Sequence, residues 1–120
     1  MDHKAENIIV TCIDFRLQEA INNWISENFT PKTFDRVAFA GGIKNLDIIL
    51  GQINIAVRLH HIKKVILINH EDCGAYGPEG TVDHHVKDLK QVKAHILEKF
   101  PHLEVETYYL HLDGTFEPVV

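Results

Sequence analysis

Two cysteines and one histidine are placed where they can bind a single metal ion. Cys12 follows the apolar run at residues 8–10, His70 follows the apolar run at residues 65–68, and Cys73 comes three positions later. Thiolate sulfur and imidazole nitrogen are ligands that zinc prefers, and catalytic zinc sites keep a fourth position open for water. Because the chain has only two cysteines, structural sites with three or four cysteines are excluded. The pattern therefore predicts one catalytic zinc ion per chain.

A carboxylate and a guanidinium follow the first candidate ligand. Asp14 and Arg16 are the second and fourth residues after Cys12. Asp14 can accept a hydrogen bond from a zinc-bound water or ligate the metal itself, and Arg16 can keep Asp14 ionised through a two-pronged ion pair. The alternative is a structural ion pair in a loop beside a helix start. Likewise, a buried cysteine taken alone is often only a small core residue.

Composition and charge restrict the possible classes of protein. A chain of 120 residues with 45% apolar and 24% charged residues is typical of one globular domain, here residues 1–120. The net charge of -5 argues against nucleic-acid and anionic-membrane partners, which need a basic face. The polar N-terminus does not resemble a signal peptide, and no apolar run reaches the roughly 20 residues of a membrane span. We therefore expect a cytoplasmic protein with reduced cysteines.

Strand and helix patterns alternate along the chain, which predicts an α/β domain: a three-layer sandwich around a mostly parallel sheet. Right-handed crossovers favour the strand order 2-1-3-4, with a fifth, antiparallel strand at the edge after a two-residue Asp113-Gly114 turn. Ligands bind beyond the carboxyl ends of strands where chain direction reverses, here between strands one and three. Cys12, His70 and Cys73 should therefore meet. The expected strands cover residues 7–11, 36–40, 64–69, 104–112 and 115–120, and apolar residues at helical spacing mark helices within residues 17–29, 46–57 and 86–100.

Three motifs resemble the signature of β-class carbonic anhydrases in order and spacing. They are Cys12-x-Asp14-x-Arg16, Ala40-Gly41-Gly42 and His70-x-x-Cys73-Gly74-Ala75, and the match covers about residues 8–75. The resemblance implies zinc on Cys12, His70 and Cys73, with Asp14 and Arg16 as a catalytic dyad. It also implies a homodimer or higher homo-oligomer with each site near a subunit boundary. The implied activity is that of a carbonate dehydratase, which hydrates carbon dioxide reversibly to bicarbonate through zinc-bound hydroxide.

The chain departs from the family pattern around the substrate pocket. It is short and lacks the N-terminal helical arm, and Phe15 stands where serine is usual. Ala38 and Phe39 replace an Arg-Asn pair, and Asn69 precedes His70 where glycine or histidine is common. The ligands and the dyad are unchanged, so these departures concern the substrate pocket and not the metal site.

Two other functions stay open. The same fold can hydrolyse carbonyl sulfide or carbon disulfide, and a zinc-holding binding or regulatory protein can keep the site without turnover. A cysteine phosphatase loop is excluded, because Gln18 and Glu79 stand where an arginine is needed six positions after each cysteine. The chain also has no dinucleotide or Walker A glycine motif. Glu71 and Asp72 either tune the site by their charge or lie on a solvated loop face.

Overall fold

Five strands form one sheet across residues 3–120, the part of the chain that the computed structural model describes. The strand order is β2-β1-β3-β4-β5. The first four strands run parallel and β5 runs antiparallel to β4, which confirms the predicted sheet. The strands are β1 (Asn7–Thr11), β2 (Phe34–Ala38), β3 (Lys64–His70), β4 (Glu104–Leu110) and β5 (Phe116–Pro118).

Helices cover both faces of the sheet. They are α1 (Gln18–Asn28), α2 (Leu46–His60) and α3 (Val82–Lys99). Asn45 begins α2 by accepting a hydrogen bond from the Ile48 N–H, and Thr81 caps α3 by accepting one from the His84 N–H. Because Thr81 supplies this cap, α3 begins one turn earlier than its apolar pattern indicates. No helix among residues 3–120 is long and apolar enough to cross a membrane.

The central strands are apolar throughout because each packs against helices on two sides. On β1, Ile8 and Val10 face the cluster that contains residues of α2 and α3, whereas Ile9 faces α1. On β3, Leu67 and Ile66 divide in the same way between the two faces. This two-sided burial explains the unbroken apolar runs that lead to the candidate ligands.

Two further predictions, the position of β2 and the length of the last hairpin, were wrong for local reasons. β2 lies two residues earlier than predicted, because Gly41 and Gly42 adopt positive φ angles of 86° and 61° and turn the chain away from the sheet. The hairpin between β4 and β5 is longer than two residues, since residues 111–115 separate the last paired residues. Within it the Asp113 side chain accepts the Thr115 N–H, and this local bond favours a wider turn.

Candidate metal centre

The sheet brings the three candidate ligands to one point. Cys12 directly follows β1, His70 ends β3, and β1 and β3 are neighbours in the sheet. Cys73 lies in the loop after β3 and completes the cluster. One possible ligand atom from each residue lies within 4.8 Å of the others, and the two sulfur atoms are 4.0 Å apart. All three residues are buried, so the convergence predicted from topology is present.

The His70 imidazole is oriented so that one nitrogen is left for a metal. Its Nδ1 donates a hydrogen bond to the Glu71 carbonyl oxygen at 2.7 Å. Its Nε2 is buried and has no hydrogen-bond partner among the described residues. A buried polar nitrogen without a partner costs free energy, and a metal ion bound there would remove that cost. Backbone carbonyls commonly orient metal-binding histidines in this way.

The pKa values of the two cysteine thiols are shifted in opposite directions. Burial alone would raise the pKa of the Cys12 thiol, but the neighbouring His70 and the backbone N–H groups of Gly41 and Asp14 lower it to about 6. The Gly41 N–H lies 3.3 Å from the Cys12 sulfur. Burial raises the pKa of Cys73, which also lies next to the Cys12 sulfur. Burial would lower the pKa of His70, but the neighbouring Cys12 and the Glu71 carbonyl oxygen raise it, so a divalent cation would displace protons from both His70 and Cys73 when it binds. Two sulfur atoms and one imidazole nitrogen form a donor set that fits zinc.

Asp14 and Arg16 form a dense ion pair beside the cluster. Asp14 Oδ1 accepts the Arg16 backbone N–H at 2.9 Å and Nε at 3.1 Å, while Oδ2 accepts Nη2 at 2.7 Å. The Arg16 hydrogen bonds lower the pKa of Asp14 to about 2. Asp14 is therefore ionised at neutral pH and acts only as an acceptor. Its Oδ2 lies 3.9 Å from the Nε2 atom of His70, which places the carboxylate beside the expected metal position.

Asp72 also binds Arg16. The sequence alone left open whether Asp72 acts on the site or lies on a solvated loop face. Arg16 Nη1 donates to Asp72 Oδ2 at 3.0 Å, and Nη2 donates to the Asp72 carbonyl oxygen at 2.8 Å. Asp72 reaches this position through a left-handed backbone, with φ of 56°, which aspartate tolerates better than most residues. Glu71 instead points away and accepts the Leu112 N–H. The only sequence signal for this role was an acidic residue between two candidate ligands.

A cavity of about 530 Å³ opens beside the ligands and the ion pair. Apolar groups form much of its wall. Ile13 is 56% exposed and Phe15 is 87% exposed, and both line the cavity. Phe39 instead lines a neighbouring cavity of about 500 Å³. Phe15 and Phe39 are the two bulky residues that differ from the family pattern. Phe15 therefore lines the cavity of the candidate site, whereas Phe39 does not. The full lining is Cys12, Ile13, Asp14, Phe15, Arg16, Ala40, Gly41, Asp72, Cys73, Gly74 and Ala75.

Comparison with known proteins identifies the family. A family model described as "Putative carbonic anhydrase" matches residues 2–120. Uncharacterized proteins of Rickettsia bellii (strain RML369-C) and Rickettsia conorii (strain ATCC VR-613 / Malish 7) are 29% and 28% identical over 136 residues. The alignments cover 98% of this chain, and 83% and 73% of those proteins respectively.

Solved structures share the fold at low sequence identity. Carbonic anhydrase from Glaciozyma antarctica superposes with a TM-score of 0.74 and 17% identity, covering 100% of this chain and 85% of that one. Carbonic anhydrase from Streptococcus mutans gives 0.60 and 18%, covering 99% and 84%. The apo form of a carbon disulfide hydrolase gives 0.60 and 15%, covering 94% and 77%. The chain therefore belongs to the putative carbonic anhydrase family, as a divergent protein with the β-class carbonic anhydrase fold.

Proposed function

We propose that this protein is a zinc-dependent carbonate dehydratase that interconverts carbon dioxide and bicarbonate. One observation carries the proposal: an ionised Asp14, held by Arg16, lies 3.9 Å from the free nitrogen of a buried Cys-His-Cys cluster. A structural metal site has no need of a charged acceptor at this position. A site that activates water does need one, because the acceptor orients the water for attack.

Each residue has a distinct role in the proposed reaction. Cys12, His70 and Cys73 would hold one zinc ion, which supplies Lewis-acid activation of water near neutral pH. Asp14 Oδ2 would accept a hydrogen bond from the O–H group of the attacking water and so fix the direction of that water. Arg16 keeps Asp14 ionised and prevents the carboxylate from turning, since four hydrogen bonds from Arg16 converge on the carboxylate.

The cavity wall suits a small uncharged substrate. Ile13, Phe15 and Ala40 line the space beside Asp14, and their side chains offer no hydrogen bonds to a polar substrate. Carbon dioxide fits this environment, but so do carbonyl sulfide and carbon disulfide. The similarity to a carbon disulfide hydrolase makes hydrolysis of these molecules the second candidate function. A binding protein without turnover is less favoured, because Asp14 and Arg16 are both present and paired.

We also propose that the protein assembles as a homodimer or larger homo-oligomer. Ile48, Ile55 and Leu59 recur at helical spacing along one side of α2 and are 36%, 41% and 52% exposed. An apolar stripe of this kind favours association. Two β-carbonic anhydrases from Sordaria macrospora that share this fold, with a TM-score of 0.59, are tetrameric.

Stopped-flow hydration of carbon dioxide by the zinc-loaded protein tests the proposed function, with hydrolysis of carbonyl sulfide and carbon disulfide measured in parallel. We expect carbon dioxide to be the preferred substrate. Asp14→Asn should keep its zinc but lose about 10²-fold or more of the rate, because an amide cannot act as a charged acceptor. The control is Asp83→Asn, which changes an exposed carboxylate on α3 and should leave the rate unchanged. Full activity in Asp14→Asn, or no hydration by zinc-loaded wild type, would contradict the proposal.

A further inference from the structure

We propose that Asn69 is a positioning residue for the metal centre, because its buried side-chain amide joins three segments that surround the ligands. The inference rests on the metal site proposed above and deepens it. Asn69 precedes His70 on β3, and successive side chains on a strand point to opposite faces. Asn69 therefore cannot join His70 as a ligand, and it acts on the site through its neighbours.

The Asn69 amide is 1% exposed, and each of its polar atoms has a partner. Oδ1 accepts the Ile43 N–H at 3.3 Å. Nδ2 donates to the Tyr76 hydroxyl at 3.0 Å and to Nδ1 of His85 at 2.9 Å. The backbone N–H of Ile43 fixes which way the amide faces, since the flipped amide would place two donors against each other. The three partners lie in three different segments, so one side chain connects all of them.

The first connection leads to Cys12. Ile43 belongs to the turn in which the Gly41 N–H lies 3.3 Å from the Cys12 sulfur. The turn fits closely around the amide, because a Cβ atom on Gly42 would lie 2.5 Å from Asn69 Oδ1. The position of the Gly41 N–H, and with it the hydrogen bond to the Cys12 sulfur, therefore depends on where the Asn69 amide lies.

The second connection leads to Cys73. The Tyr76 side chain packs in one buried cluster with both cysteines, and its backbone N–H bonds to the Cys73 carbonyl oxygen at 3.1 Å. The Tyr76 hydroxyl receives a hydrogen bond from Asn69 and donates one to Asp88 on α3 at 2.9 Å. The tyrosine ring is thus held at its far end, and it forms one wall against which the Cys73 loop packs.

The third connection leads to α3 and makes the arrangement rigid. His85 is fully buried in the first turns of this helix, and its Nδ1 accepts the remaining N–H of the Asn69 amide. Helix α3 therefore supports the amide through His85 and supports Tyr76 through Asp88. In the sequence, Asn69 stands where the family pattern commonly has glycine or histidine. In the structure its amide is matched by partners that glycine could not bind.

Zinc affinity separates positioning from stability, and Asn69→Leu is the central variant because leucine has a similar size and no polar atoms. Substitution of residues that orient metal ligands typically lowers metal affinity by about 10–100-fold. We expect Asn69→Leu to lose zinc affinity by this factor, measured by chelator competition. Tyr76→Phe keeps the ring and removes the hydroxyl, so it should weaken zinc in the same direction. The double variant should lose less than the sum of the two losses, because both remove the same hydrogen bond.

The control is Thr107→Val, which removes another buried hydrogen bond in the same sheet. Thr107 is 4% exposed and donates to the Val119 carbonyl oxygen at 2.7 Å, away from the ligands. This variant should keep the affinity of the wild type. The absorption spectrum of bound Co²⁺ gives a second readout, since it follows ligand geometry and should change in Asn69→Leu but not in Thr107→Val.

Wild-type affinity and an unchanged Co²⁺ spectrum in a folded Asn69→Leu protein would overturn the inference while leaving the proposed function intact. An equal loss in Thr107→Val would also overturn it, because lower stability alone would then explain the effect. If Asn69→Leu does not fold, Tyr76→Phe decides by the same two measurements. A wild-type protein that binds no zinc would refute the proposed function, and this inference with it.

Discussion

Acid pH should destabilise the fold through His85. This side chain is fully buried, and burial is the main cause that lowers its pKa to about 4. Repulsion from His70 and His84 lowers the pKa further, while Asp88 opposes the shift. The Nδ1 atom of His85 already accepts a hydrogen bond from Asn69. Protonation at Nδ1 would replace this bond by a contact between two donors.

The sign and size follow from the difference between the folded and unfolded states. In the unfolded chain a histidine has a pKa of about 6.5, so between about pH 6.5 and about pH 4 the unfolded chain binds a proton that the folded chain does not. The stabilising contribution is complete above about pH 6.5 and is lost as the pH falls through about 4. At about 1.4 kcal/mol per pH unit, the free energy of unfolding should fall by about 3 kcal/mol from this residue.

Urea unfolding at about pH 7 and about pH 4 measures the effect, with the fluorescence of Trp24, the only tryptophan, as the signal. A chelator present throughout keeps metal release from contributing. We expect His85→Gln to be less stable than wild type at neutral pH and to lose less stability in acid. His84→Gln is the matched control, since His84 is the neighbouring residue on α3 and is partly exposed. It should keep most of the acid sensitivity of the wild type, because burial lowers the pKa of His85 more than repulsion from His84 does.

The comparison between variants isolates His85 from the other groups that titrate in this range. Groups that are distant from His85 contribute equally to all three proteins and cancel in the difference, whereas His70 repels protonated His85 and is part of the measured effect. If wild type and His85→Gln lose the same free energy between the two pH values, His85 does not titrate as argued. The burial argument would then be wrong.

Two further predictions concern the backbone and the assembly. Gly42→Ala should destabilise the protein by more than about 2 kcal/mol in denaturant unfolding, because φ is 61° and the added Cβ would meet Asn69 Oδ1. Gly51→Ala in α2 has open space around its added Cβ and should stabilise by about 0.5–1 kcal/mol; a similar loss in both variants would refute the steric argument. Sedimentation at micromolar concentration should show a dimer or larger species, and Ile55→Glu should shift it toward monomer. A monomeric wild type would contradict the proposed assembly.

The sheet and the convergence of the ligands could be predicted because strong, long-range rules determine them. Apolar runs before Cys12 and His70 mark two-sided burial, and right-handed crossovers then place β1 beside β3. No side-chain detail was needed for this step. The same rules do not determine where an edge strand ends, so the position of β2 was wrong by two residues. Only Gly41 and Gly42 could have indicated an earlier exit from the sheet.

The roles of Asp72 and Asn69 could not be predicted, because each depends on side-chain direction. Asp72 binds Arg16 only in a left-handed backbone, and its neighbour Glu71 has a similar charge and bonds elsewhere. Asn69 needs partners from three segments at once. A sequence shows that an asparagine is present but not which buried groups face it.

The neighbouring positions of β1 and β3 also determine the order in which the site can be completed. Cys12 and Cys73 are separated by 61 residues along the chain, and α1, β2, α2 and β3 lie between them. During synthesis this whole segment must emerge from the ribosome before the Cys12 thiol can meet Cys73. The two sulfur atoms approach only after β3 joins the sheet beside β1. Closing so long a segment costs conformational entropy. Metal bound at this point would stabilise a long-range pairing, so metal uptake would report the pairing of β1 with β3 before β4 and β5 join the sheet.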